Sequence, residues 1–195
     1  MNKNYMPSLT HPSGQVLTAA DWTAAGVHTA SCDLAALLVK PGIKFLKNLD
    51  NIKQYWNWPD KLLLNTAGLL PNKSGMIQIR SAFDGRKLNF TVEEITALIQ
   101  QLKPDSDNSF KVNNAPSEDA LNGVVYTSAP ADKPRGVGSI QDISNTQNFS
   151  VLDQNCGCPA CKADLTRAYF HHLYVHTPLL CHRWLVMHNQ WMTHH

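Results

Sequence analysis

Residues 156–189 read CGCPACKADLTRAYFHHLYVHTPLLCHRWLVMHN, and the interpretation of the whole chain turns on this stretch. Cys156, Cys158 and Cys161 form a CxCxxC knuckle, close enough for all three sulfurs to turn onto one ion. A bridge between such near neighbours would close a strained loop, so the spacing favours zinc over disulfides or an incidental redox cluster. Three thiolates leave one tetrahedral position, and a neutral imidazole is its usual occupant. Downstream stand His171, His172, His176, His182, His188, His194 and His195. Leu180, Cys181, Trp184, Leu185, His188 and Trp191 recur at three- and four-residue steps, as one face of a helix does. His188 shares that face, whereas His182 and His194 fall off it. His188 is therefore the predicted fourth ligand, with His171, His172 and Cys181 as the alternatives. A zinc with four protein ligands is structural; a catalytic ion would need His188 outside the shell and water in its place.

The bulk composition sets the outer limits. The chain has 195 residues, 43% of them hydrophobic, enough for a sizeable core. Lys and Arg number 17 against 15 Asp and Glu, a formal net charge of +2 that supports no whole-protein attraction to nucleic acid. Any RNA contact must come from a local patch, for which Lys162, Arg167, His171, His172 and Arg183 are the candidates; the plainer reading is a solvated helix face. The opening MNKNYMPSLTHPSG lacks the apolar stretch of a secretory signal. No window approaches the ~18 apolar residues of a membrane span. The expectation is a cytoplasmic protein with no membrane association, its five cysteines reduced or metal-bound. His194 and His195 are assigned no role.

Read in order, the chain alternates strands and helices, which predicts an α/β architecture. Thr18 as N-cap, Asp21 in the first turn and Gly26 as the stop mark a short helix. Val27 to Val39 fits a strand followed by a turn or short helix, and Ile43 to Tyr55 a second helix burying Phe45, Leu46, Leu49 and Ile52. After Trp56 and Trp58, Lys61 to Leu64 reads as a buried strand. Met76 to Phe83 alternates and returns through Asp84-Gly85 to Leu88–Phe90, a hairpin. Thr91 with Glu94 three residues on forms a capping box for a helix ending at Pro104. From Pro104 to about Gln154 the composition turns polar, with short apolar islands at Val124–Tyr126 and Val137–Ile143. The predicted organisation is 1–103 as an N-terminal α/β half, 104–150 as a shortened polar connection with one residual strand, and 151–195 as a helical zinc-binding subdomain.

These motifs resemble the tRNA-guanine transglycosylase (queuine tRNA-ribosyltransferase) family, zinc-containing (β/α) barrel enzymes that exchange the wobble guanine of certain tRNAs for a queuosine precursor base. CGCPAC, TRAYFHHL over residues 166–173, and His188-Asn189 match the family's knuckle, its SRAYLHHL-like segment and its later His-Asn. The 26 residues between Cys161 and His188 are one more than the family pattern, and the extra residue can sit just after the knuckle. Tyr5-Met6-Pro7, Leu17-Thr18, Lys40-Pro41-Gly42, Phe83-Asp84-Gly85 and Lys133-Pro134-Arg135 with Gly136-Val137-Gly138 resemble further family segments. The resemblance implies one structural Zn2+ held by Cys156, Cys158, Cys161 and His188.

The departures fall where the family keeps its chemistry. Its DSGGFQ strand end reads NTAGLL here, so Asn65 stands for the aspartate and Leu70 for the glutamine. The DxVxPTR segment carrying the family's nucleophilic aspartate has no counterpart between Gly138 and Phe149, and Asp142 aligns with a helix-start acid. A complete eight-stranded barrel takes about 250 residues, so the expected fold is an incomplete TIM-barrel-like fragment, either rearranged into a small closed sheet or with its edges covered by a partner chain. The reading is a catalytically inactive transglycosylase-like zinc protein. It would act as a binding, scaffolding or accessory subunit beside a transglycosylase subunit, its own copy or a larger complex, with tRNA as a further candidate partner. The competing reading is a minimal active transglycosylase using Asp33, Asp84 or Asp142.

Overall fold

Two threonines start early helices by the same device. Thr18 accepts a hydrogen bond from the Asp21 amide, and the Asp21 carboxylate accepts one from the Thr18 amide, opening α1 (Ala19–Ala24). Thr91 and Glu94 repeat the exchange at α5 (Val92–Leu102). Gly26, at φ +81°, takes the left-handed turn that lets the chain leave α1 and enter β2 (Thr29–Asp33). The computed structural model describes residues 5–106, 110–128 and 136–195.

The parallel layer is built from short strands. β1 (Tyr5–Met6) pairs with β6 (Lys111–Val112), and β2 pairs with β3 (Lys61–Asn65) in register Thr29↔Lys61 to Asp33↔Asn65. Ser8 bridges to Ser31 and Leu63 to Asp105, so the order runs β6, β1, β2, β3 and then the segment at Asp105. Between β2 and β3 lie α2 (Leu34–Leu37), α3 (Ile43–Leu46) and α4 (Lys53–Trp56). The single helix expected over Ile43 to Tyr55 is thus two short ones, divided by a turn through Leu49 whose amide bonds the Leu46 carbonyl. Leu46 and Ile52 are buried as expected, while Phe45 is 42% exposed and packs edge-on against Tyr55. The hairpin falls where its turn predicts: β4 (Met76–Arg80) runs antiparallel to β5 (Lys87–Thr91).

The polar segment after Pro104 carries regular elements of its own: besides β6 it forms α6 (Ala115–Leu121), β7 (Val124–Thr127), β8 (Gly136–Ser139) and a 3-10 turn at Ile143–Gln147. Its composition hides these because α6 buries small residues, Pro116, Ser117 and Ala120, in place of a large apolar stripe. Of the two outcomes expected for the parallel layer, a small closed sheet is not seen among the described residues. At its β3 end, the Asp105 carboxylate accepts from the Leu62 amide at 2.8 Å and pairs with Lys53 at 2.8 Å, which occupies hydrogen-bonding groups of that edge. Lys133-Pro134-Arg135 lies outside the described residues.

The C-terminal helices α7 (Pro159–Lys162), α8 (Arg167–His176) and α9 (Pro178–His194) complete the fold. Helix α9 packs on α6, β7, α7, α8 and α1, and one continuous core runs from Leu9 to Met187. Arg183 of α9 donates two hydrogen bonds to the Asp21 carboxylate, at 2.6 and 3.0 Å, tying the last helix to the first. No described helix is long and apolar enough to cross a membrane.

Candidate metal centre

The knuckle runs into α7, with Cys158 as the helix N-cap and Cys161 inside the helix. The Cys156 sulfur accepts a hydrogen bond from the Cys158 amide at 3.5 Å, and the Cys158 sulfur accepts one from the Cys161 amide at 3.4 Å. Backbone donors aimed at sulfur favour the thiolate form that a metal requires. Gly157, between the first two cysteines, lies under the Trp191 ring: a Cβ there would stand 3.0 Å from a ring carbon, so a side chain would require the ring to give by a few tenths of an ångström.

His188 arrives from the middle of α9, fully buried, and its Nε2 hydrogen-bonds the Tyr126 carbonyl at 2.6 Å. That bond places the proton on Nε2 and leaves the Nδ1 lone pair facing the sulfurs. Nδ1 is 3.6 Å from the sulfur of Cys156, 3.4 Å from that of Cys158 and 3.5 Å from that of Cys161. Bonds of about 2.3 Å to sulfur and 2.0–2.1 Å to nitrogen, arranged tetrahedrally, would separate sulfur from nitrogen by about 3.6 Å. The four ligand atoms all lie within 4.8 Å of one another and all four residues are buried, so donor set and spacing both suit one structural zinc ion. As free groups they hold protons unevenly: hydrogen bonds to Cys156 and Cys158 draw Cys161 well below the ordinary thiol range, while the corresponding bonds to Cys156 and Cys161 push Cys158 above it. A divalent cation relieves this competition by replacing the protons.

The alternative fourth ligands lie elsewhere. His171 Nδ1 bonds the Ile140 carbonyl at 2.9 Å, the Cys181 thiol donates to the Phe170 carbonyl and is pushed up to about 12 by burial, and His172 is exposed.

Sequence reasoning noted Asn189 only as part of the His-Asn motif and gave no role to it, to Gln190 or to Asp153. Asn189, fully buried, accepts from the Tyr126 amide at 3.0 Å through Oδ1 and donates through Nδ2 to the Val124 and Pro116 carbonyls at 3.0 and 3.1 Å. Together with His188 it satisfies the edge of β7 that faces away from β8, as a neighbouring strand would. Gln190 donates to the Ser117 hydroxyl at 2.9 Å. Before the knuckle, Asp153 accepts from the Ser128 amide, from its hydroxyl at 3.0 Å and from the Asn155 amide at 2.8 Å; burial opposes its charge, and these donors still hold its carboxyl below the usual range. Besides the His-Asn motif, the signal was three consecutive polar residues, His188-Asn189-Gln190, inside a helix with an apolar face.

The profile of the family described as Queuine tRNA-ribosyltransferase matches residues 112–195. Over this segment the chain is similar to the queuine tRNA-ribosyltransferase family. Similar curated relatives are the queuine tRNA-ribosyltransferases of Thermoanaerobacter sp. (strain X514), 35% identical, and of Caldanaerobacter subterraneus subsp. tengcongensis and Francisella tularensis subsp. mediasiatica, each 36% identical. Each comparison covers 74 residues, 38% of this chain and 18% of the relative. The profile match begins after the first hundred residues, where the likeness to the ribosyltransferase family rests on the short motifs alone.

The remaining predicted residues are scattered through structural duties. Among the candidate RNA contacts, Arg167 donates to the Leu152 carbonyl at 2.6 Å, Arg183 pairs with Asp21 and His171 with the Ile140 carbonyl. Lys162 is exposed above the Trp191 ring, and His172 is exposed on α8. Asp33 caps α2 through the Ala36 amide at 2.9 Å and accepts from the Asn65 amide group at 3.2 Å. Asp142 caps the Ile143–Gln147 turn through the Ser144 amide, which lowers its carboxyl. Asp84 bonds Arg86 within the hairpin turn and is lowered by Ser81 first and then by Arg86. A groove of about 920 Å3, walled by residues such as Leu17, Val39, Trp56 and Phe83, has no carboxylate among its described lining residues. Trp58 is buried, its indole N–H donating to the Lys61 carbonyl.

Proposed function

We propose that this chain is a zinc-stapled, non-catalytic relative of the transglycosylases that works as a binding or accessory subunit in tRNA queuosine modification. The observation that carries the reading is the contact between Asp33 and Asn65 at the ends of two adjacent parallel strands. Asn65 occupies the position where the family motif has a carboxylate, and it donates to an Asp33 whose other oxygen is committed to a helix cap. An amide in that place neither accepts a proton at neutral pH nor balances a developing positive charge. Covalent base exchange needs an activated carboxylate nucleophile, and Asp33, Asp84 and Asp142 are each engaged with local backbone or a neighbouring guanidinium. The order β6, β1, β2, β3 is what an open arc of a (β/α) barrel would display, and the proposed partner covers that arc: a transglycosylase subunit or a second copy, with tRNA bound alongside.

The test is exchange of labelled guanine into tRNA by the zinc-loaded protein. The expected result is no incorporation above the protein-free control, together with recovery of a transglycosylase subunit in a pull-down from the native cell. Turnover that disappears in Asp33→Asn or Asp142→Asn would overturn the proposal.

A further inference from the structure

Helix α8 carries a second group of metal-binding side chains, apart from the Cys3His cluster. His172 and His176 are one helical turn apart, both exposed, and neither imidazole has a hydrogen-bonding partner among the described residues. Their neighbour His171 differs, being occupied by the Ile140 carbonyl. The two rings have their centres 4.5 Å apart and their planes inclined at 43°. Two imidazoles bound to one ion at a right angle, through bonds of about 2.0–2.1 Å, bring their ring centres to about 4.5 Å; a tetrahedral angle would spread them to about 5.2 Å. Right-angle ligation belongs to square-planar and octahedral ions, and among divalent metals copper stands at the top of the affinity order for nitrogen ligands. The backbone of α8 holds the pair at this spacing, so once one ring has bound an ion the second binds intramolecularly. His176 also lies in the last turn of α8, where the helix dipole favours a cation.

We propose that His172 and His176 form a surface site for a divalent transition ion that favours right-angle imidazole ligation, copper(II) above all, with water filling the remaining positions. The buried knuckle is a separate site: its three sulfurs select a tetrahedral, thiolate-bound ion, and the two imidazoles on α8 select a different one.

The test is a copper(II) titration of the zinc-loaded protein at neutral pH, followed by electron paramagnetic resonance. His194→Ala and His195→Ala are present in every sample, so that the C-terminal histidines contribute nothing. The expected result is one tight equivalent of copper with equatorial nitrogen hyperfine structure. Affinity should weaken about tenfold or more in either His172→Asn or His176→Asn, because each substitution turns a two-point site into a one-point one. Zinc content and melting temperature should stay unchanged, since both side chains are exposed. Copper affinity indifferent to both substitutions, or a spectrum with sulfur ligation showing that copper enters the knuckle, would overturn the proposal.

Discussion

Replacing Asn189 by alanine should damage this protein more than its position beside the metal, and not on it, would suggest. The side chain serves three buried backbone groups: the Tyr126 amide and the Val124 and Pro116 carbonyls. A buried polar group left without a partner costs about 1–3 kcal/mol. Water admitted into the space vacated by the amide recovers part of that, so the net loss for three groups is about 2–4 kcal/mol, out of a total stability of about 5–15 kcal/mol for a domain. The same strand residue accepts the His188 imidazole, so a loosened β7 also releases the ring from its fixed tautomer and orientation. Urea unfolding of the zinc-loaded variant should show a lower midpoint with an unchanged slope, and the Tyr126 amide should lose its protection from hydrogen exchange. Zinc affinity should fall by about tenfold or more. Asn189→Asp should be no better, because it restores the acceptor for Tyr126 but points a second oxygen at two carbonyls. A loss below about 1 kcal/mol with the Tyr126 amide still protected would refute the reasoning.

Cys158→Ser should abolish zinc retention, measured by metal analysis of the purified protein, and lower the melting temperature by at least about 10 °C, since structural zinc contributes folding free energy directly. Because α9 packs on α1 and α6 as well as on the knuckle, the damage should spread from the 151–195 segment into those earlier helices; a variant that keeps its full melting temperature would show the site is not structural. Arg183→Ala should cost about 1–2 kcal/mol, a value reduced by the partial exposure of the arginine. Burial alone would raise the Asp21 carboxyl, but Arg183 and Thr18 hold it below its ordinary value, so this stability is present above the ordinary aspartate range and is lost as pH falls through the folded value. Urea midpoints across acid pH should therefore fall less steeply in Arg183→Ala than in the parent protein.

The parts legible in the sequence are those decided within a few residues. Thr18 with Asp21, Thr91 with Glu94, and Asp84-Gly85 each close a hydrogen-bonded unit over two to four positions, and each appears where its residues indicate. The helix expected across Ile43 to Tyr55 failed because its apolar spacing is equally served by two short helices and a turn. Helix α6 escaped notice because its buried face is small and polar, stabilised by contact with α9 and not by its own apolar area.

The knuckle and its demand for a fourth ligand are written in three cysteines five residues apart end to end, because tetrahedral coordination by neighbouring thiolates is local chemistry. The helical face already favoured His188 among the histidines, but how it is held there was decided by packing: His188 meets the sulfurs 27–32 residues away while bonding Tyr126 another 62 residues off. The commitment of Asp33 to Asn65, and of Arg183 to Asp21, has the same origin. Separations of 32 and 162 residues leave no periodic trace along the chain, and such contacts exist only once strands and helices from distant segments have been brought together.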